Sequence, residues 1–481
     1  MRTARSAFAL PLLLAAGCMV GPNFDPPVAP GDRDYRREPV AQTGVADGVS
    51  QEFRYGQPVA SEWWRSLHSP VLDAIVARAL AANPGLEQAR ATLRQNQDSL
   101  RAGYGVFFPQ VNASAGALRE DFNPLPGVFP HGTYNLFTLS GTVSYTFDVW
   151  GGQRRQVEEL RAAVDAQRYS LAGAYEMLAG NVVDALIAQV AYRAEMDATR
   201  ATLVLLRQQV RIANAQATAG TAAYSTVLSL QSQVASTEAT LPPLEQKFDQ
   251  TDDLLAALSG TTPAAFSEPS LTIAEIHLPQ DVPVTLPSRL VRQRPDILVA
   301  EAELHAANAN IGVTTAAMLP NLTLSGDLGT NSTQLGNLLG PASAFWSIGA
   351  GLTQPIFHGG TLYYQHRAAI DARDAAAASY RQTVLTAFQQ VADTLLALGH
   401  DADALAAQTE AVDAASRALR LIQANYLSGI ATYLQVLVAD DQYLQAKIGY
   451  VQAVAQRLQD TVALFVALGG GWWNTPAATH G

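Results

Sequence analysis

The chain has 481 residues, with 31 Lys and Arg against 42 Asp and Glu, a formal net charge of −11 and only 15% charged residues. An apolar fraction of 48% excludes intrinsic disorder, and the acidic balance leaves no basic stripe to displace counterions, so nucleic acid is not a partner. A single cysteine excludes an internal disulfide framework and a thiolate metal cluster.

In chain order, residues 1–17 read as a signal peptide, with Arg2 and Arg5, then an apolar run from Ala7 to Leu14, then Ala15, Ala16 and Gly17. The small residues before Cys18 resemble a bacterial lipobox, which makes Cys18 the expected lipidation site and first residue of the mature chain. An ordinary signal peptide followed by a chance cysteine is the alternative. Residues 18–69 are Pro-rich and read as a lipidated, extended N-terminal arm. No run of 18 consecutive apolar residues follows, so no transmembrane helix is expected, and a bilayer crossing has to be a closed β-barrel.

An internal repeat organises the rest. Asn83-Pro84 with Leu86 matches Arg294-Pro295 with Ile297, and Phe108-Pro109-Gln110-Val111 matches Leu319-Pro320-Asn321-Leu322, both at an offset of 211. Gly151-Gly152 matches Gly359-Gly360 at 208, and Gly220 with Tyr224 matches Gly429 with Tyr433 at 209. Leu258-Ser259-Gly260 matches Leu468-Gly469-Gly470 at 210. The landmarks keep one order, which sets repeat 1 at 70–260 and repeat 2 at 281–470, with a connector over 261–288 and a C-terminal tail at 471–481.

Each copy opens on a helix; in the first, Leu72, Ile75, Val76, Ala79 and Leu80 share one face. After Pro109 the period becomes two, most clearly where Phe137, Leu139, Gly141, Val143, Tyr145, Phe147 and Val149 alternate with Thr, Ser and Asp. The spacing predicts strands at about 110–120 and 137–150, and again at about 321–330 and 345–357, joined by loops near 119–136 and 329–344. Strands of this length cross a bilayer, which takes ~9–11 tilted residues, yet four cannot close a barrel whose smallest examples use ~8. Copies of the chain have to share one barrel: two copies give eight filled strands, three give twelve and an open lumen. A half-buried soluble sandwich is the alternative. Proline-free stretches then predict long helices over 152–219 and 360–428, each ~100 Å. Their three-and-four spacing, as at Val157, Leu160, Val164, Leu171, Ala174 and Leu178, suits side-by-side packing in a curved wall or a two-helix coiled coil.

These residues together resemble the bacterial outer membrane factors, the TolC-like channels, and within them the NodT-type lipoproteins. The resemblance rests on Cys18-Met19-Val20-Gly21-Pro22-Asn23-Phe24, Trp63-Trp64, Asn83-Pro84, Phe108-Pro109, Phe147-Asp148-Val149-Trp150-Gly151-Gly152 and the turns at Gly220 and Gly429. It implies a mixed α and β membrane protein: a homotrimer with a twelve-stranded transmembrane β-barrel, four strands per chain, continued by a long periplasmic α-helical barrel. It implies residence in the outer membrane, in contact with its lipid, since Met19 rather than the Asp of inner-membrane lipoproteins follows the cysteine. The implied function is the passive exit duct of a tripartite efflux pump for small toxic compounds, with an inner-membrane RND-type transporter and a periplasmic adaptor (membrane fusion) protein as partners. A type I protein secretion duct and, in another class, a lipid-anchored periplasmic scaffold without a pore are the alternatives.

By the same resemblance the adaptor docks on two helical turns, here Ala219-Gly220-Thr221 and Ser428-Gly429-Ile430. The family narrows its periplasmic end with an acidic ring after the second turn, where this chain reads Tyr433-Leu434-Gln435-Val436-Leu437-Val438-Ala439. The matching positions, Gln435 and Val438, are uncharged; Asp441, one turn beyond Val438, and its neighbour Asp440 are the replacement candidates, and Tyr426 matches a tyrosine that holds the tip closed. A plain solvated helix face is the alternative for Asp441. No enzyme chemistry is expected. The eight histidines show no metal-ligand spacing, no phosphate-cradling or nucleophile-elbow motif occurs, and Glu301/Glu303 and Asp401/Asp403 are paired only in sequence, so neither metal nor cofactor is called for. Trp63-Trp64 either packs or sits at a lipid interface.

Overall fold

The computed structural model describes residues 19–122, 132–267 and 269–474. Cys18, the signal peptide and the last residues of the tail lie outside that range.

In chain order the elements are β1 (Glu52–Tyr55), α1 (Pro70–Ala82), α2 (Pro84–Gly103), β2 (Gln110–Phe122), β3 (Gly132–Phe147), α3 (Gly152–Thr218), α4 (Tyr224–Glu238) and α5 (Leu241–Leu258). There follow β4 (Asp281–Val284), α6 (Pro287–Leu290), α7 (Pro295–Ala316), β5 (Asn321–Ser332), β6 (Ala344–Thr353), α8 (Thr361–Leu427) and α9 (Tyr433–Ala467). The long helices α3 and α8 both have 67 residues. Where α9 runs unbroken for 35 residues, its counterpart is split into α4 and α5. The break is local chemistry: Pro242 and Pro243 stand in the first turn of α5, where missing N–H groups cost nothing.

The strand limits differ from the alternation in three places. β3 begins at Gly132 rather than 137, because its ladder with β2 continues outward through polar pairs such as Glu120↔Tyr134 after the apolar period has ended. It stops at Phe147 because the Asp148 carboxylate turns to accept from the backbone N–H groups of Gln153 and Arg154, capping α3. β6 ends at Thr353, two residues before Pro355, which has no N–H to offer a ladder.

The chain divides into two compact units. The first comprises residues up to Pro27, Thr92–Arg168 and Val299–Arg381. It holds a four-stranded antiparallel sheet in the order β2-β3-β5-β6. Its N-terminal segment is pinned: Arg155, 1% exposed, donates to the carbonyls of Val20 and Gly21 and to Asn23 Oδ1, and pairs with Glu158 at 2.7 Å. Asn308 donates to Pro22 O, Val20 N–H donates to Trp150 O, and Phe24 stacks on His305 at 4.3 Å. Gly21 is required here, since it has φ +84° and an added Cβ would lie 2.5 Å from Gly312 Cα.

The second unit comprises Val28–Ala91, Tyr169–Leu298 and residues from Gln382 onward. The arm is not uniformly extended: β1 pairs in parallel with β4 of the connector, and residues Trp63–Leu67 form a 3-10 turn. Trp63 and Trp64 are buried, and Trp63 stacks on Phe465 of α9 at 5.3 Å, so the aromatic pair packs. Arg457, fully buried on α9, ties the arm down by donating to Thr43 Oγ1, Gln51 Oε1 and the carbonyls of Ala46 and Val49. Among the described residues α3 is the one helix long and apolar enough, by composition, to cross a membrane. A count of consecutive apolar residues passes it over because polar positions interrupt the run. Val182, Val183, Leu186, Ile187 and Val190 of that helix are buried within the second unit, which accounts for its apolarity by packing.

Candidate functional site

The four-stranded sheet carries two chemically different faces, and its register keeps them consistent across all strands. On one face lie Val111, Ala113 and Ala115 of β2, then Leu139, Val143, Tyr145 and Phe147 of β3. The face continues with Leu322, Leu324 and Leu328 of β5, then with Trp346, Ile348 and Leu352 of β6. Trp346, Ile348 and Leu352 are 74%, 76% and 71% exposed, an arrangement water does not tolerate across a whole sheet. The opposite face is polar and bonds to itself across strands. Ser114 meets Ser140 at 2.9 Å, Thr146 meets Thr323 at 3.3 Å, and Asp327 accepts from Thr142 at 2.8 Å and from Ser347 at 3.1 Å. β2 and β6, at the two edges, have no further partner among the described residues.

The helical turns are built alike. Gly220 and Gly429 have φ +74° and +75° with open space where a Cβ would stand. Each ends its helix in a Schellman motif: Thr221 N–H donates to Gln216 O at 2.9 Å, and Ile430 N–H to Asn425 O at 2.8 Å. Ala219, Thr221, Ser428 and Ile430 are exposed around these glycines. Beneath the turns Ala213, Val227 and Leu230 form a small core, closed by Val210, Ala217, Tyr433 and Leu437.

The gate candidates fall into three environments. Gln435 is exposed, and its Oε1 accepts from the Thr432 backbone N–H at 2.7 Å and from Thr432 Oγ1, closing a capping box at the start of α9. Val438 and Asp441 are exposed. Asp440 is buried at 2% exposure and accepts from Gln209 Nε2 of α3 at 2.5 Å, while its Oδ1 has no partner. Burial pushes its carboxyl pKa up, and the Gln209 hydrogen bond opposes that shift.

Gln209 is bridged further: its Oε1 accepts from Tyr433 OH at 2.9 Å, Tyr433 meets Tyr426 edge-on at 5.8 Å, and Tyr426 OH donates to Gln216 Oε1 at 3.1 Å. The chain Asp440–Gln209–Tyr433–Tyr426–Gln216 therefore ties α3 to the end of α8 and the start of α9. Next to it a cavity of about 280 Å³ is lined by Leu205, Gln208, Ile212, Gln423 and Val436. Sequence reading passed over Gln209 and Gln216 and used Tyr433 only as a repeat landmark and a motif position. Their signal was two glutamines one heptad apart beside an apolar seam, and a tyrosine directly after the turn. Among the described residues no cluster of His, Cys, Asp or Glu is arranged to hold a metal ion.

The family model for outer membrane efflux proteins matches residues 75–261 and 286–470. Nodulation protein T of Rhizobium leguminosarum is 31% identical over 480 residues, covering 97% of this chain and 93% of that protein. The pyoverdine export outer membrane protein OpmQ of Pseudomonas aeruginosa is 29% identical over 417 residues, 85% of this chain and 87% of its own. The solved outer-membrane channel OprN superposes with a TM-score of 0.85 at 26% identity, over 95% of this chain and all of the other.

Proposed function

This chain belongs to the outer membrane efflux protein family and is an outer-membrane channel of a tripartite efflux pump, and from that premise we propose that three copies close one pore from their four-stranded sheets. The family is one of channels rather than enzymes. The observation that carries the proposal is the sheet. Its exposed apolar face suits lipid and its self-bonded polar face suits a water-filled lumen. Its two unpaired edges would each bury a row of backbone donors and acceptors against a neighbouring copy. Three sheets give twelve strands, enough for an open lumen.

In this reading the long helices of three chains form the periplasmic duct, the turns at Gly220 and Gly429 receive the adaptor, and an inner-membrane RND-type transporter supplies energy and selection. Cys18, if acylated, adds a lipid anchor. The hydrogen-bonded chain from Asp440 to Gln216 holds the tip shut within each protomer, and the exposed Asp441 supplies the carboxylates of a cation-binding ring. The cargo is a small molecule, by likeness to the pyoverdine export outer membrane protein OpmQ.

Planar-bilayer recordings of the purified protein test this. Discrete conductance steps from a trimeric species are expected. A stable water-soluble monomer, or a membrane-bound protein that passes no current, would leave the non-pore scaffold as the correct reading.

A further inference from the structure

We propose that the cavity beside Met19 in the first unit binds the phosphate of a glycerophospholipid headgroup, an inference that rests on the sheet being the membrane-spanning part. The cavity, about 540 Å³, lies between the 3-10 turn Tyr104–Phe107, the first turns of α3 and the pinned N-terminal segment. Those walls sit where the β2–β3 hairpin leaves the sheet. Tyr104–Phe107 leads straight into β2 at Gln110, and Arg154 is the third residue of α3, a few positions after β3 ends at Phe147. The apolar face of the sheet continues onto the same rim through Phe147, with Phe108 and Val149 also exposed beside the strand ends. A lipid whose acyl chains run along that face brings its headgroup to this level.

The charges inside the cavity fit one phosphodiester. Of the charged lining residues, Arg154 pairs at 3.0 Å with Asp148, which lies outside the lining, and Glu158 pairs with Arg155 at 2.7 Å and with His305 at 2.9 Å. Arg161, an exposed lining residue, is in no ion pair among the described residues; its Nη2 donates to Tyr104 OH, an uncharged partner, at 2.7 Å, and no ion pair takes its other N–H groups. One unmatched guanidinium balances the single charge of a phosphodiester, whereas a free phosphate would bring a second negative charge without a counterpart. The remaining wall, Met19, Phe107 and Val157, is apolar and suits the glycerol and upper acyl carbons. Anchors of this amphipathic kind are the usual furniture of a membrane interface.

The test is native mass spectrometry of the purified full-length protein in detergent, titrated with phosphatidylglycerol, comparing wild type with Arg161→Gln and Arg161→Glu. Retained lipid is expected for wild type, with affinity weaker by about threefold in Arg161→Gln and by about tenfold or more in Arg161→Glu, and with no displacement by millimolar inorganic phosphate. Equal lipid retention in wild type and Arg161→Glu would overturn the proposal, and so would displacement by inorganic phosphate, which would mark a free-anion site. Bilayer conductance of the same samples separates this from the reading beneath it. A conducting wild type and a conducting Arg161→Glu with undiminished lipid refute the site alone, while a silent wild type refutes the membrane-spanning sheet and the site with it.

Discussion

Asp184 offers a sharp test of how the second unit is held together. It projects from α3 with its Oδ1 buried and unpartnered, and it faces Asp460 of α9, whose charge also raises the carboxyl pKa of Asp401 on α8. Arg457 lowers the Asp401 pKa but is itself committed to the arm backbone. Burial and then the Asp460 charge push the Asp184 carboxyl from 3.8 up to about 7. A shift of about 3 units at ~1.36 kcal/mol each is at most about 4 kcal/mol. Because water still reaches part of the side chain, about half of that, ~2 kcal/mol, is a realistic figure.

A raised carboxyl pKa favours the protonated folded state, so this contribution is fully present below 3.8 and drains away as pH rises through about 7. Asp184→Asn, which copies the protonated shape without the titration, is therefore expected to leave stability nearly unchanged at pH 4 and to raise it by ~2 kcal/mol at pH 8. Thermal unfolding followed by tryptophan fluorescence reports mainly on this unit, because four of the six tryptophans, Trp63, Trp64, Trp472 and Trp473, lie in it, against Trp150 and Trp346 in the first. The midpoint at pH 8 should rise by about 2–4 °C or more. Equal midpoints at pH 8, or the same gain at both pH values, would refute the buried-carboxylate account.

Three further outcomes follow from the geometry. Gln209→Ala removes the partner of both Asp440 and Tyr433, so single-channel recordings should show a larger open probability; unchanged gating would detach this network from the tip. Gly21→Ala forces a Cβ to 2.5 Å from Gly312 Cα at φ +84°, so limited proteolysis should cut within residues 19–27 at least about tenfold faster, with the sheet's circular dichroism unaltered. Equal cleavage rates would show that the arm accommodates the methyl. Asp327→Asn keeps one oxygen to accept and an NH2 that can donate to the other hydroxyl, but removes the charge on the polar face, so reversal potentials in asymmetric salt should show weaker cation preference. An unchanged reversal potential would place Asp327 away from the conduction path.

Much of this architecture was legible in local pattern. Alternation at 137–149 marks a strand with one wet face, and proline-free stretches with three-and-four spacing mark α3 and α8, because side-chain periodicity is imposed by backbone geometry. The glycines of the turns were legible for the same reason: a left-handed residue at a helix end leaves few choices of amino acid.

What the sequence left open depended on partners far away in the chain. Asp440 and Asp441 are adjacent and chemically identical, yet one is buried against Gln209 of α3 and the other faces solvent, because only packing decides which side of α9 meets a neighbour. Gln435, placed by the family resemblance at an acidic gate position, instead accepts from Thr432 at the start of its own helix. The arm read as extended because Pro-rich chain has no period of its own. Its strand exists through pairing with the connector about 230 residues later, and its burial through one arginine on α9. Short-range periodicity is written residue by residue, whereas contacts across hundreds of residues appear only when the folded chain brings them within reach.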